Sequence, residues 1–145
     1  MQRFVILSAV ILSLGLVGAD TAPNKDPARE AKVGLGGIFT SAIAYFAENN
    51  TFVISNIQEF GYAPTDSSRY TFWYSVKGVP TRFPGVFPLT GPCDLSTPPT
   101  SVTVFASKTG FVAAAKGNRD DGAACDEWSI DEQRRLVHTL GDTIQ

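Results

Sequence analysis

The chain has 145 residues, of which 43% are hydrophobic and 18% are charged, a composition typical of a globular protein and not of a disordered one. Its 12 Lys and Arg side chains against 14 Asp and Glu give a formal net charge of −2, which excludes nucleic-acid binding driven by bulk positive charge. One His and two Cys also exclude most structural zinc sites, which need four soft ligands.

The N-terminal segment, residues 1–19, predicts a secretory signal peptide. Arg3 supplies a positive charge, residues 4–17 are apolar, and small residues ending at Ala19 are typical of a cleavage site. The apolar run is short for a bilayer span, which takes about 20 residues. We therefore expect cleavage before Asp20, export from the cytoplasm and no membrane span in the mature chain. The alternative is an uncleaved N-terminal anchor.

A helix is predicted at the start of the mature chain. After a leader over residues 20–27, the remaining residues 28–145 are expected to form one domain. Asp26 followed by Pro27 is typical of a helix start, because Asp caps the first turn and Pro fits its first position. Residues 28–49 then show helical periodicity, which predicts an apolar stripe that packs on the rest of the domain. Its members are Ala31, Leu35, Ile38, Phe39, Ala42 and Phe46.

Small residues share another face of this predicted helix. They are Gly34, Gly37, Ser41 and Ala44. A glycine in a helix interior costs about 1 kcal/mol relative to alanine, and this helix also contains Gly36. Two hypotheses account for the small residues. Either a second helix packs closely over this face, or the helix is weak there and faces solvent.

The rest of the domain predicts mainly strands. A short helical turn is expected at residues 56–60, and a proline-rich irregular segment at residues 78–100. Five strands are predicted, at residues 69–77, 101–106, 111–116, 127–130 and 134–139. Turns at residues 107–110 and 131–133 join the last strands into hairpins. One helix followed by about four to five antiparallel strands is an α+β pattern.

The two cysteines, Cys93 and Cys125, lie 32 positions apart. In an exported protein, an even number of cysteines predicts a disulfide. Closing a loop of this length contributes about 3–4 kcal/mol in the chain-entropy model. The alternative is a redox or catalytic thiol, but no CxxC motif and no neighbouring His supports it.

Motifs for catalysis are absent from the sequence. No nucleophile elbow, P-loop or GxGxxG motif occurs, so no enzymatic function and no cofactor is predicted. The only histidine, His138, lies in a predicted strand, where we expect a strand-edge side chain and not a metal ligand or general base. An acidic loop offers a weak calcium candidate with oxygen ligands from Asp120, Asp121 and Asp126. However, its spacing is not that of an EF-hand, and acidic turns are usually just solvated.

Five segments, taken in order, carry a resemblance to a known family. They are PAREAKVGLGGIFTSAIAYFAENNTF, FGYAP, RYTFWYSV, GFVAAAKGNRDDG and DEWSIDEQRRL. The first resembles the globular half of the long helix of type IVa pilins and of the related type II secretion pseudopilins, and the last is similar to their closing hairpin. The resemblance implies a pilin-like fold, with one N-terminal helix packed on an antiparallel sheet. It also implies that Cys93 and Cys125 form the disulfide that closes the variable C-terminal region of many pilins.

The chain departs from the family at its N-terminus. Family pilins begin with a prepilin leader and a hydrophobic helix that anchors the subunit and later forms the filament core, whereas a conventional signal peptide is predicted here. The sequence is therefore most similar to the separate globular chain of a split pilin. This implies a structural subunit of a type IV pilus that docks on a short hydrophobic pilin helix in a separate chain. The candidate docking residues are Gly34, Gly37, Ser41 and Ala44.

The same resemblance implies the remaining partners and the location of the protein. Like subunits in the filament are expected as further partners, and nucleic acid is not. The protein is expected to be exported, first to the periplasm and then to the cell surface. The alternative is a soluble periplasmic binding or adhesion module of a secretion system, which does not enter a filament. A neighbouring gene for a short chain with a prepilin leader and one hydrophobic helix would favour the pilus hypothesis.

Overall fold

The computed structural model describes residues 26–64, 69–85, 93–118 and 124–141. The predicted signal peptide and its cleavage site lie outside these ranges. The elements in chain order are helix α1 (Pro27–Asn49), a 3-10 turn (Ile57–Phe60) and strands β1 (Tyr70–Val76), β2 (Val79–Arg82), β3 (Phe105–Ala106), β4 (Phe111–Gly117), β5 (Asp126–Asp131) and β6 (Leu136–Leu140).

Helix α1 starts and ends where the sequence predicts. The side chain of Asp26 accepts a hydrogen bond from the backbone N–H of Ala28, at 3.1 Å, with Pro27 at the first helical position. The helix ends at Asn49, and the capping residue Asn50 takes a left-handed conformation with φ 56° and donates its backbone N–H to the carbonyl of Phe46, at 2.7 Å. Both termini are therefore capped by residues that the sequence places there.

One antiparallel sheet carries the helix. Its strand order is β2-β1-β4-β5-β6, and β3 pairs with β4 beyond the part of β4 that β1 occupies. Helix α1 packs over β1, β4 and β5. The α+β class predicted from the sequence is confirmed, and the described residues form six strands where four to five were expected.

Two strand predictions need correction. The irregular segment expected at residues 78–100 begins with β2, which forms a hairpin with β1 through Lys77 and Gly78, both at positive φ. Pro80 obscured this strand in the sequence, but a proline is tolerated in it because β2 lies at the edge of the sheet. The strand expected at residues 101–106 is reduced to β3.

The core lies between α1 and the sheet. The apolar stripe predicted for the helix is confirmed, since four of its members are buried and Phe39 and Phe46 pack against them from the flank. Phe111 is fully buried at the centre, and its ring centroid lies 5.1 Å from that of Phe52 and 5.5 Å from that of Tyr74. Burial raises the pKa of the Tyr74 hydroxyl, which donates to the carbonyl of Phe52 at 2.8 Å.

A loop covers the other face of the sheet. Cys93 and Cys125 form the predicted disulfide, with their Cα atoms 5.2 Å apart. The buried Lys116 of β4 donates through Nζ to the carbonyls of Thr97 and Pro98, at 3.4 Å each.

Beside Lys116, the buried Glu127 of β5 holds the next part of the loop. Its carboxylate accepts the backbone N–H groups of Thr100, at 3.0 Å, and Ser101, at 2.8 Å. Two buried charges of opposite sign and one disulfide thus fix the loop to the sheet. The backbone N–H of Ser101, at the start of the segment where a strand was expected, is therefore bonded to Glu127 and not to a neighbouring strand.

Candidate docking surface

The buried side of α1 is used by the domain itself. Ala31, Leu35, Ile38 and Ala42 are fully buried against the sheet. Any partner of the helix must therefore bind to one of its other sides. The small-residue face predicted from the sequence and the side opposite the sheet are the two possibilities.

The structure covers most of the predicted small-residue face. Gly34 is buried, and a Cβ built on it would overlap the ring of Phe72 in β1. A Cβ on Gly37 would overlap the ring of Tyr62, which follows the 3-10 turn. Aromatic side chains of the same chain therefore cover these two candidate docking residues. They are small because the aromatic side chains of the same chain need the space.

The other two residues of that face lie nearer to solvent. Ser41 is half-buried, and Ala44 is exposed. The small-residue face is therefore divided in the structure. The N-terminal part packs inside the domain, and only Ala44 at its C-terminal end remains on the outer surface.

The outer side of α1 is apolar or small along most of its length. We call it the open helix face, and it consists of Val33, Gly36, Thr40, Ile43, Ala44 and Ala47. Val33 is 63% exposed and Ile43 38% exposed. Apart from the adjoining backbone of the helix itself, no atom of the described residues lies within 4 Å of a Cβ built on Gly36. No charged residue occurs between Lys32 and Glu48, so this face stays uncharged over about 22 Å at 1.5 Å per residue.

Thr40 fits this apolar face despite its hydroxyl group. The hydroxyl donates to the carbonyl of Gly36, one turn earlier, at 3.0 Å. Its polar atom is thus bonded to the backbone, and the methyl group remains for contact with a partner. The open helix face therefore presents methyl and methylene groups beside a glycine, which permits close approach of another backbone.

Two cations fix the helix to the closing hairpin of β5 and β6. The Lys32 ammonium lies 5.0 Å from the centroid of the Trp128 ring, and the Arg134 guanidinium lies 5.8 Å from that of Phe39. Such contacts contribute about 0.5–1 kcal/mol at exposed sites. They add to the packing that holds α1 against the sheet and the closing hairpin.

A buried carboxylate lies beneath Lys32 and Trp128. Asp126 is fully buried and accepts hydrogen bonds from the Tyr70 hydroxyl, at 2.5 Å, and from Trp128 Nε1, at 2.7 Å. Its other oxygen lies 2.5 Å from Nε2 of His138, whose ring stacks on Trp128 with centroids 4.2 Å apart. His138 lies on the edge strand β6, as expected, and its contact with Asp126 was not predicted. This contact could have been found from the register of the closing hairpin, which pairs Trp128 with His138.

The calcium hypothesis finds no support in these contacts. Asp120 and Asp121 lie outside the described residues, and both oxygens of Asp126 are occupied by side chains of the same chain. Within the described ranges, no group of three or more His, Cys, Asp or Glu side chains is arranged to hold a metal ion.

Two further findings bear on function. In the part of the chain that the structure describes, no helix has both the length and the hydropathy required to cross a bilayer. No protein-family model matches the chain, and neither does any curated protein or solved structure. The function must therefore be inferred from the fold and from the open helix face.

Proposed function

We propose that this chain is the globular head of a split type IV pilin and docks on a separate, short, hydrophobic pilin helix within a filament. The observation that carries the proposal is the open helix face. One side of α1 packs on the sheet, the open helix face is largely exposed, and residues 33–47 contain no charged side chain. The order of the secondary-structure elements also supports the proposal, because one N-terminal helix packs across an antiparallel sheet.

The chemistry of this face matches an apolar helix as its partner. Exposed large hydrophobic residues that form a contiguous patch are typical of interaction surfaces. Val33 and Ile43 supply side chains that can project into a partner, and Gly36 between them lets a second backbone approach. Small residues beside branched apolar ones are the arrangement by which helices pack closely.

The disulfide supports an exported protein. Cys93 and Cys125 are paired, and such bonds persist in oxidising compartments such as the periplasm and the cell surface. The proposed location is therefore the periplasm and then the pilus. Its role is structural, and no reaction is assigned to it.

The experiment captures the partner from the native host through a tag on this chain. A short chain with one hydrophobic helix is expected among the captured proteins, identified by mass spectrometry. Val33→Glu should reduce its capture at least tenfold, the equivalent of about 1.4 kcal/mol, because a carboxylate would be buried against an apolar helix. Val79→Glu is the matched control, because Val79 is similarly exposed, at 62%, but lies on the edge strand β2 and not on α1.

Circular dichroism of both variants separates loss of docking from loss of folding. Gly36→Leu serves as a second variant without charge, because the free chain has room for the new side chain. If folded Val33→Glu and Gly36→Leu capture the short helix as well as the wild type does, the open helix face is not the docking site. If the wild type captures only other periplasmic proteins, the chain is a binding module and not a pilus subunit.

A further inference from the structure

The loop that follows Cys93 covers two charged residues on the face of the sheet opposite α1. We call residues 93–104 the covering loop. Lys116 of β4 and Glu127 of β5 lie directly opposite each other in the strand register, and they are only 4% and 0% exposed. Charged side chains are almost never buried so completely unless they are paired or hydrogen-bonded. The covering loop must therefore supply the partners of these two groups.

Both charged groups are bound to the covering loop and not to each other. Glu127 accepts the backbone N–H groups of Thr100, at 3.0 Å, and Ser101, at 2.8 Å. Lys116 Nζ donates to the hydroxyl of Thr97, at 3.0 Å, and to two carbonyls of the loop. Within the part of the chain that the structure describes, Lys116 and Glu127 form no salt bridge with each other. The closed loop therefore satisfies both charges.

The same two side chains have a second arrangement available to them. Residues directly opposite each other in an antiparallel pair have Cβ atoms about 4.5–5.5 Å apart, and opposite charges at such positions are favourable. If the covering loop left the sheet, Lys116 and Glu127 would be in register to pair with each other, and water would reach both groups. Opening therefore leaves no buried charge without a partner. The loop has two states, each of which satisfies the same two charges.

The disulfide sets the balance between these two states. Cys93, at the start of the covering loop, is bonded to Cys125, which directly precedes β5, and β3 holds the other end of the loop. While both ends are held, the loop gains little conformational freedom by leaving the sheet. When the disulfide is reduced, only the end at β3 is held, so the open loop gains more conformational entropy. Reduction therefore favours the open state.

Opening of the loop leaves the main core in place. The apolar residues beneath the loop form a cluster of their own, in which Val104 packs with Trp73 and Ala114. The main core lies on the other face of the sheet, against α1, and the two clusters share no residue. Cooperative units of a protein can open separately when they do not share a core. The covering loop can therefore leave the sheet while the helix and the strands stay folded.

We propose that the Cys93–Cys125 disulfide is a redox switch for the covering loop. Oxidation holds the loop on the sheet, and reduction releases it while the sheet stays folded. On closing, the two thiols lose two electrons and two protons to a disulfide donor such as oxidised glutathione. One S–S bond forms in this chain, one breaks in the donor, and the donor leaves as two thiols. Helix α1 takes no part in this switch, which is therefore independent of the proposed docking.

Amide hydrogen exchange of the chain, followed by NMR with and without dithiothreitol, tests the switch. In the disulfide-bonded chain, the amides of Thr100 and Ser101 should be protected. In the reduced chain they should exchange nearly as fast as in an unfolded chain, whereas amides of β1 and β4 should stay protected at least about a hundredfold. The double variant Cys93→Ser/Cys125→Ser should behave like the reduced wild type and should not respond to dithiothreitol.

A second pair of variants tests the hold that Glu127 has on the loop. In the disulfide-bonded chain, Glu127→Gln should raise the exchange rates of the Thr100 and Ser101 amides at least about tenfold, because the side-chain nitrogen of Gln cannot accept a hydrogen bond. Glu48→Gln, at the exposed end of α1, is the matched control and should leave these rates unchanged.

Three results would overturn the proposal. The first is that the amides of Thr100 and Ser101 stay as protected after reduction as before it, because the disulfide would then not control the loop. The second is that β1 and β4 lose their protection together with the loop, because the loop would then have no open state of its own. The third is that folded Glu127→Gln protects the two loop amides as well as the wild type does.

Discussion

At the scale of residues, Asp126 is the group on which the closing hairpin depends. Its buried carboxylate is bonded by Tyr70 of β1, Trp128 of β5 and His138 of β6, so it joins three strands through side chains. A buried carboxylate is stable only when it is paired in this way. The sequence places Asp126 beside an acidic loop, and this position suggested calcium. The structure assigns it to internal hydrogen bonds instead.

Two glycines of α1 that look alike in the sequence should respond differently to alanine. Gly36→Ala should raise the free energy of unfolding by about 1 kcal/mol, because a methyl group there meets open space and alanine favours the helix. Gly34→Ala should lower it, because the methyl group overlaps the buried ring of Phe72 and overpacking costs about 1–3 kcal/mol.

Urea denaturation of both variants with the disulfide intact measures these changes. Each substitution is the control for the other, since both replace glycine by alanine in the same helix. If Gly34→Ala stabilised the protein as much as Gly36→Ala, the orientation assigned to α1 would be wrong.

Asp131 should make stability depend on pH. It accepts the backbone N–H groups of Gln133 and Arg135, at 3.0 Å each, and pairs with Nε of Arg135 at 2.6 Å. Partial burial raises the pKa of this carboxyl, but the hydrogen bonds and the charge of Arg135 outweigh it, so the pKa lies below the usual 3.8. A pKa lowered by folding stabilises the protein above pH 3.8, and this contribution is lost as the pH falls through the folded value.

The difference in stability between wild type and Asp131→Asn should therefore be largest at neutral pH and shrink below about pH 4. Urea denaturation of both proteins at pH 7 and at pH 3 measures it. The other acidic groups are the same in both proteins, so their contributions to the pH dependence of stability cancel in the comparison. A difference that stays constant, or grows, on acidification would show that the turn does not depend on the ionised carboxylate.

At the scale of elements, local signals predicted α1, β1, β4 and the closing hairpin well. The Asp26-Pro27 start and the alternating pattern of β1 depend on nearby residues only, so a single sequence contains them. Strand β2 was missed because Pro80 disfavours a central strand, and the sequence does not show that this strand lies at an edge.

The small-residue face of α1 shows the same limit, because contacts between distant parts of the chain are not visible in a single sequence. Periodicity predicts which residues share a side of α1, but it does not show what the rest of the chain places over that side. Phe72 and Tyr62 lie far from Gly34 and Gly37 in sequence, so their packing against these glycines could not be predicted. The open position of Gly36 follows only from the fold.

The sequence also did not predict that two charged residues are buried. Lys116 and Glu127 are neighbours across β4 and β5, and each holds a different part of the loop that follows Cys93. Charged residues are almost never fully buried unless they are paired or hydrogen-bonded, so a sequence pattern assigns them to the surface. Only the disulfide partner of this loop was predictable, because the chain has just two cysteines.

At the scale of the whole molecule, different parts of the chain cover the two faces of the sheet. The loop fixed by Cys93–Cys125 covers one face of the sheet, α1 covers the other, and β6 remains as an edge. The open helix face lies on the side of α1 away from the sheet. The open helix face is therefore the surface that we propose for a partner helix.

The composition of the filaments tests the central claim most directly. Filaments sheared from the host cells and collected by sedimentation should contain this chain, beginning at Asp20, together with a short hydrophobic helical chain. In cells that produce only Val33→Glu, the variant should be exported and folded but absent from the filaments, whereas Val79→Glu should be present as in the wild type. Wild-type chain found only in the periplasmic fraction, with filaments that lack it, would contradict the account.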